Sequence, residues 1–205
     1  MKRIFLVVLF CANFVGAQKI VKKTVINSNI TSVQIDAKNC FEIRMNTAKT
    51  KEMLVEAAID GEYKSDLVLN LKENGPSILV SSGFTPNFKN PNDKLSAHKV
   101  VSIALKITLP RFKNVQVNGT SSNIIVEGAY EHLKITLNDG SCTLNEVSEA
   151  VDVLTQSGDI SLYSTSAEIV ATSKFGTVQR NNIPLGENRF NLTTITGNIN
   201  LSNNE

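Results

Sequence analysis

The chain has 205 residues, 41% of them hydrophobic and 6% aromatic, with no Trp and a formal net charge of +2. So small an excess of base gives no reason to expect nucleic acid, which demands a clustered basic footprint, and no polybasic run for anionic lipid appears in the sequence. Two His and three Cys, none at metal-ligand spacing, give no reason to expect a metal or a cofactor.

Residues 1–17 read as a secretory signal peptide. Lys2 and Arg3 supply the positive start, Ile4 to Val15 the apolar stretch, and Val15-Gly16-Ala17 a cleavage site before Gln18. The apolar run is shorter than the roughly 20 residues a membrane-spanning helix needs. Export with no membrane span after cleavage is therefore expected, with residues 18–205 as one domain. Removing the leader takes away Lys2 and Arg3 and no acid, so bases and acids then balance. Export permits a Cys40–Cys142 disulfide, but the position of Cys142 is filled elsewhere by Ile124, Ile160 and Val178. That pattern reads as a core slot, where a free cysteine packs as a small hydrophobe.

Along the chain, apolar runs alternate with polar residues at period two, the strand signal. Val33 to Ile35, Phe41 to Met45 and Met53 to Ile59 open the series. Leu67 to Leu71, a turn at Asn74-Gly75-Pro76, and Ile78 to Val80 read as a hairpin or one coil. Gly83 to Asp93, with Pro86 and Pro91, is a long loop, and Val100 to Leu109 is a strand ended by Pro110. Helical periodicity is absent.

From Val115 a pattern returns every 18 residues: Val115, Leu133, Val151 and Ile169 in one set, Ile124, Cys142, Ile160 and Val178 in another. Gly140, Gly158 and Gly176 keep the step, and Phe190, Gly197 and Ile199 repeat it after a short extra link near Pro184. A fixed short period is the mark of stacked repeats. It predicts an all-β, single-stranded, β-helix-like solenoid with coils of about 18 residues, clearest over 115–201. Val115, Leu133, Val151 and Ile169 would form one interior ladder, with Cys142 and Ile160 in another.

The runs "KITLNDGSCTLNEV" and "VDVLTQSGDISLYST", with "VSIALKITLP" ahead of them, resemble the putative adhesin family of exported bacterial proteins. That resemblance implies a β-solenoid related to the GIN-type head domains of autotransporter adhesins. Its motif is structural and implies no known ligand. Ser157-Gly158-Asp159-Ile160 fits the family corner, whereas Asn138-Asp139-Gly140-Ser141 and Lys174-Phe175-Gly176-Thr177 depart from it.

Catalysis finds little footing. Neither His98 nor His132 sits in a nucleophile motif. A hexapeptide acyltransferase pattern fails within one coil, because Leu133, Asp139 and Asn145 fall six apart. Asp139, Asp152 and Asp159 are scattered, and Asp at a glycine corner is ordinarily a turn former. Phe84 and Phe88 are the best candidates for a contact surface, although the favoured reading is that both fold back to cover an open end of the solenoid. No catalytic, cofactor or metal residue is expected. The reading is a non-enzymatic, adhesin-like structural or binding module at the bacterial cell envelope, periplasmic or on the cell surface. Its partner would be an envelope protein or glycan. The alternative is a periplasmic ligand-binding or sensory module, and a carbohydrate-active enzyme comes last.

Overall fold

Alternation at period two puts every second side chain on one face of a strand, and it accounts for most of the strands found. The computed structural model describes residues 18–27, 29–88 and 101–204. The expected signal peptide, His98 and the loop from residue 89 onward lie outside them. Among the described residues thirteen strands are present: β1 (Lys19–Val25), β2 (Ser32–Asp36), β3 (Glu42–Ala48), β4 (Met53–Gly61), β5 (Leu67–Asn74), β6 (Ser77–Phe84) and β7 (Val101–Pro110). They continue as β8 (Asn114–Thr155), β9 (Asp159–Ser164), β10 (Glu168–Ser173), β11 (Val178–Arg180), β12 (Arg189–Thr194) and β13 (Ile199–Asn203). Among the described residues no helix is long and apolar enough to cross a membrane.

The expected single-stranded β-solenoid is corrected by the pairing. All strands belong to one 13-stranded mixed sheet whose main path runs β1-β4-β7-β3-β8-β2-β6-β5. It is open, since β1 and β5 end the path. Three pairs are antiparallel: β1 with β4, β4 with β7, and the hairpin β5–β6, which turns at Gly75-Pro76. Successive coils of one strand each would stack in chain order and in parallel only. The 18-residue step does survive locally: Cys142 lies beside Ile160 in the parallel β8–β9 register. Ser141 likewise donates through its hydroxyl to Asn123 Oδ1, 18 residues earlier. It does not govern the order of the sheet.

β8 serves several partners because it bends. Gly128 and Gly140 take positive φ, as do Glu146 and Glu149, a conformation that turns an extended chain and that non-glycine residues rarely adopt. Its segments consequently pair in parallel with β2, β3, β9 and β12. The last two strands are inserted between earlier ones: β12 lies between β8 and β10, and β13 between β9 and β11.

The inward faces join in one apolar cluster that includes Ile35, Ile43, Val55, Ile107, Leu133, Ile160 and Leu201. Each fully buried aliphatic side chain of this kind contributes about 1.5–3 kcal/mol of transfer free energy. β1 was not foreseen. Its Lys22-Lys23 pair breaks the alternation, as an edge strand allows, and the Lys22 ammonium pairs with Glu56 on β4.

Candidate functional site

Phe84 is the last residue of β6 and sits opposite Leu67 in the hairpin register. Beyond it, Thr85 N–H donates to the Asp66 carbonyl at 2.7 Å, and Phe88 N–H donates to the Thr85 carbonyl at 2.9 Å. These bonds fold the chain back so that the Phe84 and Phe88 rings stack, with centroids 4.1 Å apart and planes 12° apart. Tyr63 meets both edge-on, at 6.1 Å from Phe84 and 5.2 Å from Phe88. Phe84 nevertheless stays 43% exposed. The two predicted contact residues are therefore brought together, and a third ring, Tyr63, completes the cluster. Tyr63 stands between β4 and β5, outside any alternating run, so no sequence signal marks it.

The predicted ladder residues lie as follows. Val115, Leu133, Val151, Cys142 and Ile160 are buried, while Ile169 is only partly so. Val115 stands beside Val33 of β2. Val151 and Ile169 are not neighbours, because Phe190 pairs with each of them and separates the two. Ile169 is left more open because, among the described residues, β10 pairs only with β12.

The side chains weighed for chemistry are otherwise engaged. His132 Nε2 hydrogen-bonds Asp152 Oδ2 at 2.7 Å, both groups being nearly half exposed. Asp159 Oδ1 accepts from Asn198 N–H at 2.7 Å, and Asp139 Oδ1 accepts from Ser157 Oγ at 3.3 Å. Both aspartates thus secure corners, the role that turn chemistry assigns them. Cys40 and Cys142 are free and buried, so no bridge joins them. Burial pushes the Cys40 thiol up to about 11, helped by the charge of Asp36 and opposed by its hydrogen bond with Ser82. Burial pushes Cys142 up to about 12. Thiols held protonated in this way are poor nucleophiles. No group of three or more His, Cys, Asp or Glu that could hold a metal ion occurs among the described residues.

No family model matches the chain, and no curated protein matches it. Solved structures do. A putative cell adhesion protein from Clostridium sporogenes shares 15% identity, over 92% of this chain and 100% of that one, with a TM-score of 0.66. The likeness shows a common fold. A putative adhesin from Bacteroides fragilis (12% identity, 92% of this chain and 98% of that one) gives a TM-score of 0.37. One from Parabacteroides merdae (8% identity, 89% and 96%) gives 0.34. These last two are too loose to bear on function.

Proposed function

We propose that the chain is a non-enzymatic, adhesin-like binding module exported to the bacterial cell envelope, in the periplasm or on the cell surface. The observation that carries the reading is the fold shared with the putative cell adhesion protein from Clostridium sporogenes along nearly the whole of both chains. The signal-like start of residues 1–17 supports export. A cluster of three aromatic rings, with Phe84 held partly exposed at a strand end, supports recognition through a surface. Aromatic anchors near the centre of a contact patch, surrounded by a polar rim, are what surface recognition ordinarily uses. The partner is an envelope protein or glycan.

Two measurements test this. Mass spectrometry of the protein from its own host should find an N-terminus at Gln18 in an envelope or secreted fraction; an intact Met1 in the cytoplasm defeats the proposal. Phe84→Ser should weaken capture of envelope material while leaving the melting temperature nearly unchanged. A fall in melting temperature with capture intact would instead make the rings a cap over an open end.

A further inference from the structure

Parallel pairing of β3 with β7 makes two loops leave the sheet at the same end. Ala48 and Pro110, the last residues of the pairing, are in register. Each is followed by a base at the next position and by another two residues later: Lys49 and Lys51 in one loop, Arg111 and Lys113 in the other. These four side chains line a cleft of about 470 Å³, together with Ala48, Thr50 and Pro110 and with no acidic residue.

Among the described residues none of the four cations is in an ion pair; Glu42, Glu56 and Asp152 pair elsewhere, with Arg44, Lys22 and His132. Lys113 is positioned by donating to the Ile30 carbonyl at 2.6 Å, and the other three are exposed. Four like charges in one depression repel each other and concentrate anions there. Arg111 adds a planar fork suited to two oxygens of one carboxylate or sulfate group.

The loop backbone bears the mark of a built feature as well. Phe112, between Arg111 and Lys113, has φ 56°, a true outlier for a bulky residue. Its N–H donates to the Ala129 carbonyl at 3.0 Å, which holds the strained turn in place. Such strain persists where the surroundings enforce it, and it gathers at ligand clamps. The Phe112 ring itself is 57% exposed and does not line the cleft.

The form of the cleft separates ligand classes. The apolar crevice that opens between Lys51 and Lys113, against Ile30 and Met53, holds about 20 Å³, room for one water. A lipid acyl chain does not enter it. Single-stranded nucleic acid calls for a basic groove with several stacking platforms, whereas no aromatic ring lines this cleft, on a chain of net charge only +2. An extended chain of charged sugars fits an open cleft with a base every second residue along both walls and a hydroxyl at Thr50.

We propose that this cleft binds an acidic polysaccharide, whose carboxylate or sulfate groups on successive sugars lie against Lys49, Lys51, Arg111 and Lys113. The cleft shares no residue with the aromatic cluster, so the proposal stands whether or not that cluster is a contact surface. Calorimetry of the purified protein against polygalacturonate, dextran sulfate, neutral dextran, single-stranded oligothymidylate and phosphatidylglycerol vesicles decides it. Binding is expected to at least one of the two acidic polysaccharides, the pair distinguishing carboxylate from sulfate, with affinity that falls as salt rises and none for neutral dextran. The double variant Lys49→Glu/Arg111→Glu should lose on the order of tenfold in affinity or more, with an unchanged melting temperature. Lys134→Glu, outside the cleft, should keep it. The proposal is overturned by no binding to either acidic polymer, by equal binding of neutral dextran, by tighter binding of oligothymidylate or vesicles, or by binding that survives the charge reversal.

Discussion

The backbone N–H of Asn198 donates to Asp159 Oδ1 at 2.7 Å, although 39 residues separate the two in the chain. The bond exists because β13 is laid between β9 and β11, so that Ile199 pairs with Ile160 on one side and Val178 on the other. The final strands therefore hold the preceding segment to the rest of the protein. A contact of such sequence separation forms only after the long loop between its ends has closed, at an entropic cost that grows slowly with loop length.

Ending the chain before Glu187 removes the only strand partners that β10 and β11 have among the described residues. Hydrogen exchange should then show the amides of 168–180 unprotected, while β4 and β7, which pair elsewhere, keep their protection. Persistent protection of 168–180 in the truncated chain would show that β12 and β13 are dispensable.

Leu162 and Ser161 are adjacent and face opposite ways. Leu162 is fully buried between Leu144 of β8 and Leu201 of β13, while Ser161 is half-buried. Leu162→Asp should cost more than about 4 kcal/mol, since it places an unpaired charge in packed apolar surroundings. Ser161→Asp should cost less than about 1 kcal/mol. Denaturant melts of the two variants compare them directly, and equal losses would reverse the assignment of faces.

Backbone crowding separates two glycines. A Cβ at Gly197 would overlap the carbonyl oxygen of Gly158 on the neighbouring strand end, whereas one at Gly83 meets nothing within 4 Å. Gly197→Ala should destabilise by about 1–3 kcal/mol, the range for overpacking against atoms that cannot move aside. Gly83→Ala should stay within about 1 kcal/mol of the parent. Thermal melts that rank the two the other way round would mean the strand ends do not approach this closely.

The buried thiols give a pH signature. Below the ordinary thiol value of 9.0, folded and unfolded chains both hold these protons, so the thiols add no pH dependence. Above 9.0 the unfolded chain releases protons that the fold retains, up to about 11 at Cys40 and about 12 at Cys142. Stability should therefore fall across that alkaline window, and Cys142→Ala should flatten part of the fall. At neutral pH iodoacetamide should leave both thiols unmodified until denaturant is added; rapid labelling of the native protein would contradict their burial.

Much of the local structure was legible from the residues alone. The alternation in Val33-Gln34-Ile35 and in Ile160-Ser161-Leu162 marks strands, and it separates the buried face from the other by simple sterics. Phe84 and Phe88 stood out because they break the period, but Tyr63, which packs on both, sits in a link without any pattern. The basic cleft was invisible for a different reason. Lys49 and Lys51 lie far from Arg111 and Lys113 in the chain, and the overall charge is nearly balanced; only the Ala48–Pro110 register sets the four together.

By itself, then, the sequence determined that the chain is all-β, which residues alternate inward, and where corners need glycine. Tertiary structure decided which strand lies beside which: antiparallel β1, β4 and β7, a bent β8 with partners on many sides, and Phe190 between Val151 and Ile169. The reason is physical. A face is set by the geometry of one strand and is written in its own residues. Neighbours are chosen by packing across the whole chain, and any strand with a matching apolar face answers the same 18-residue pattern.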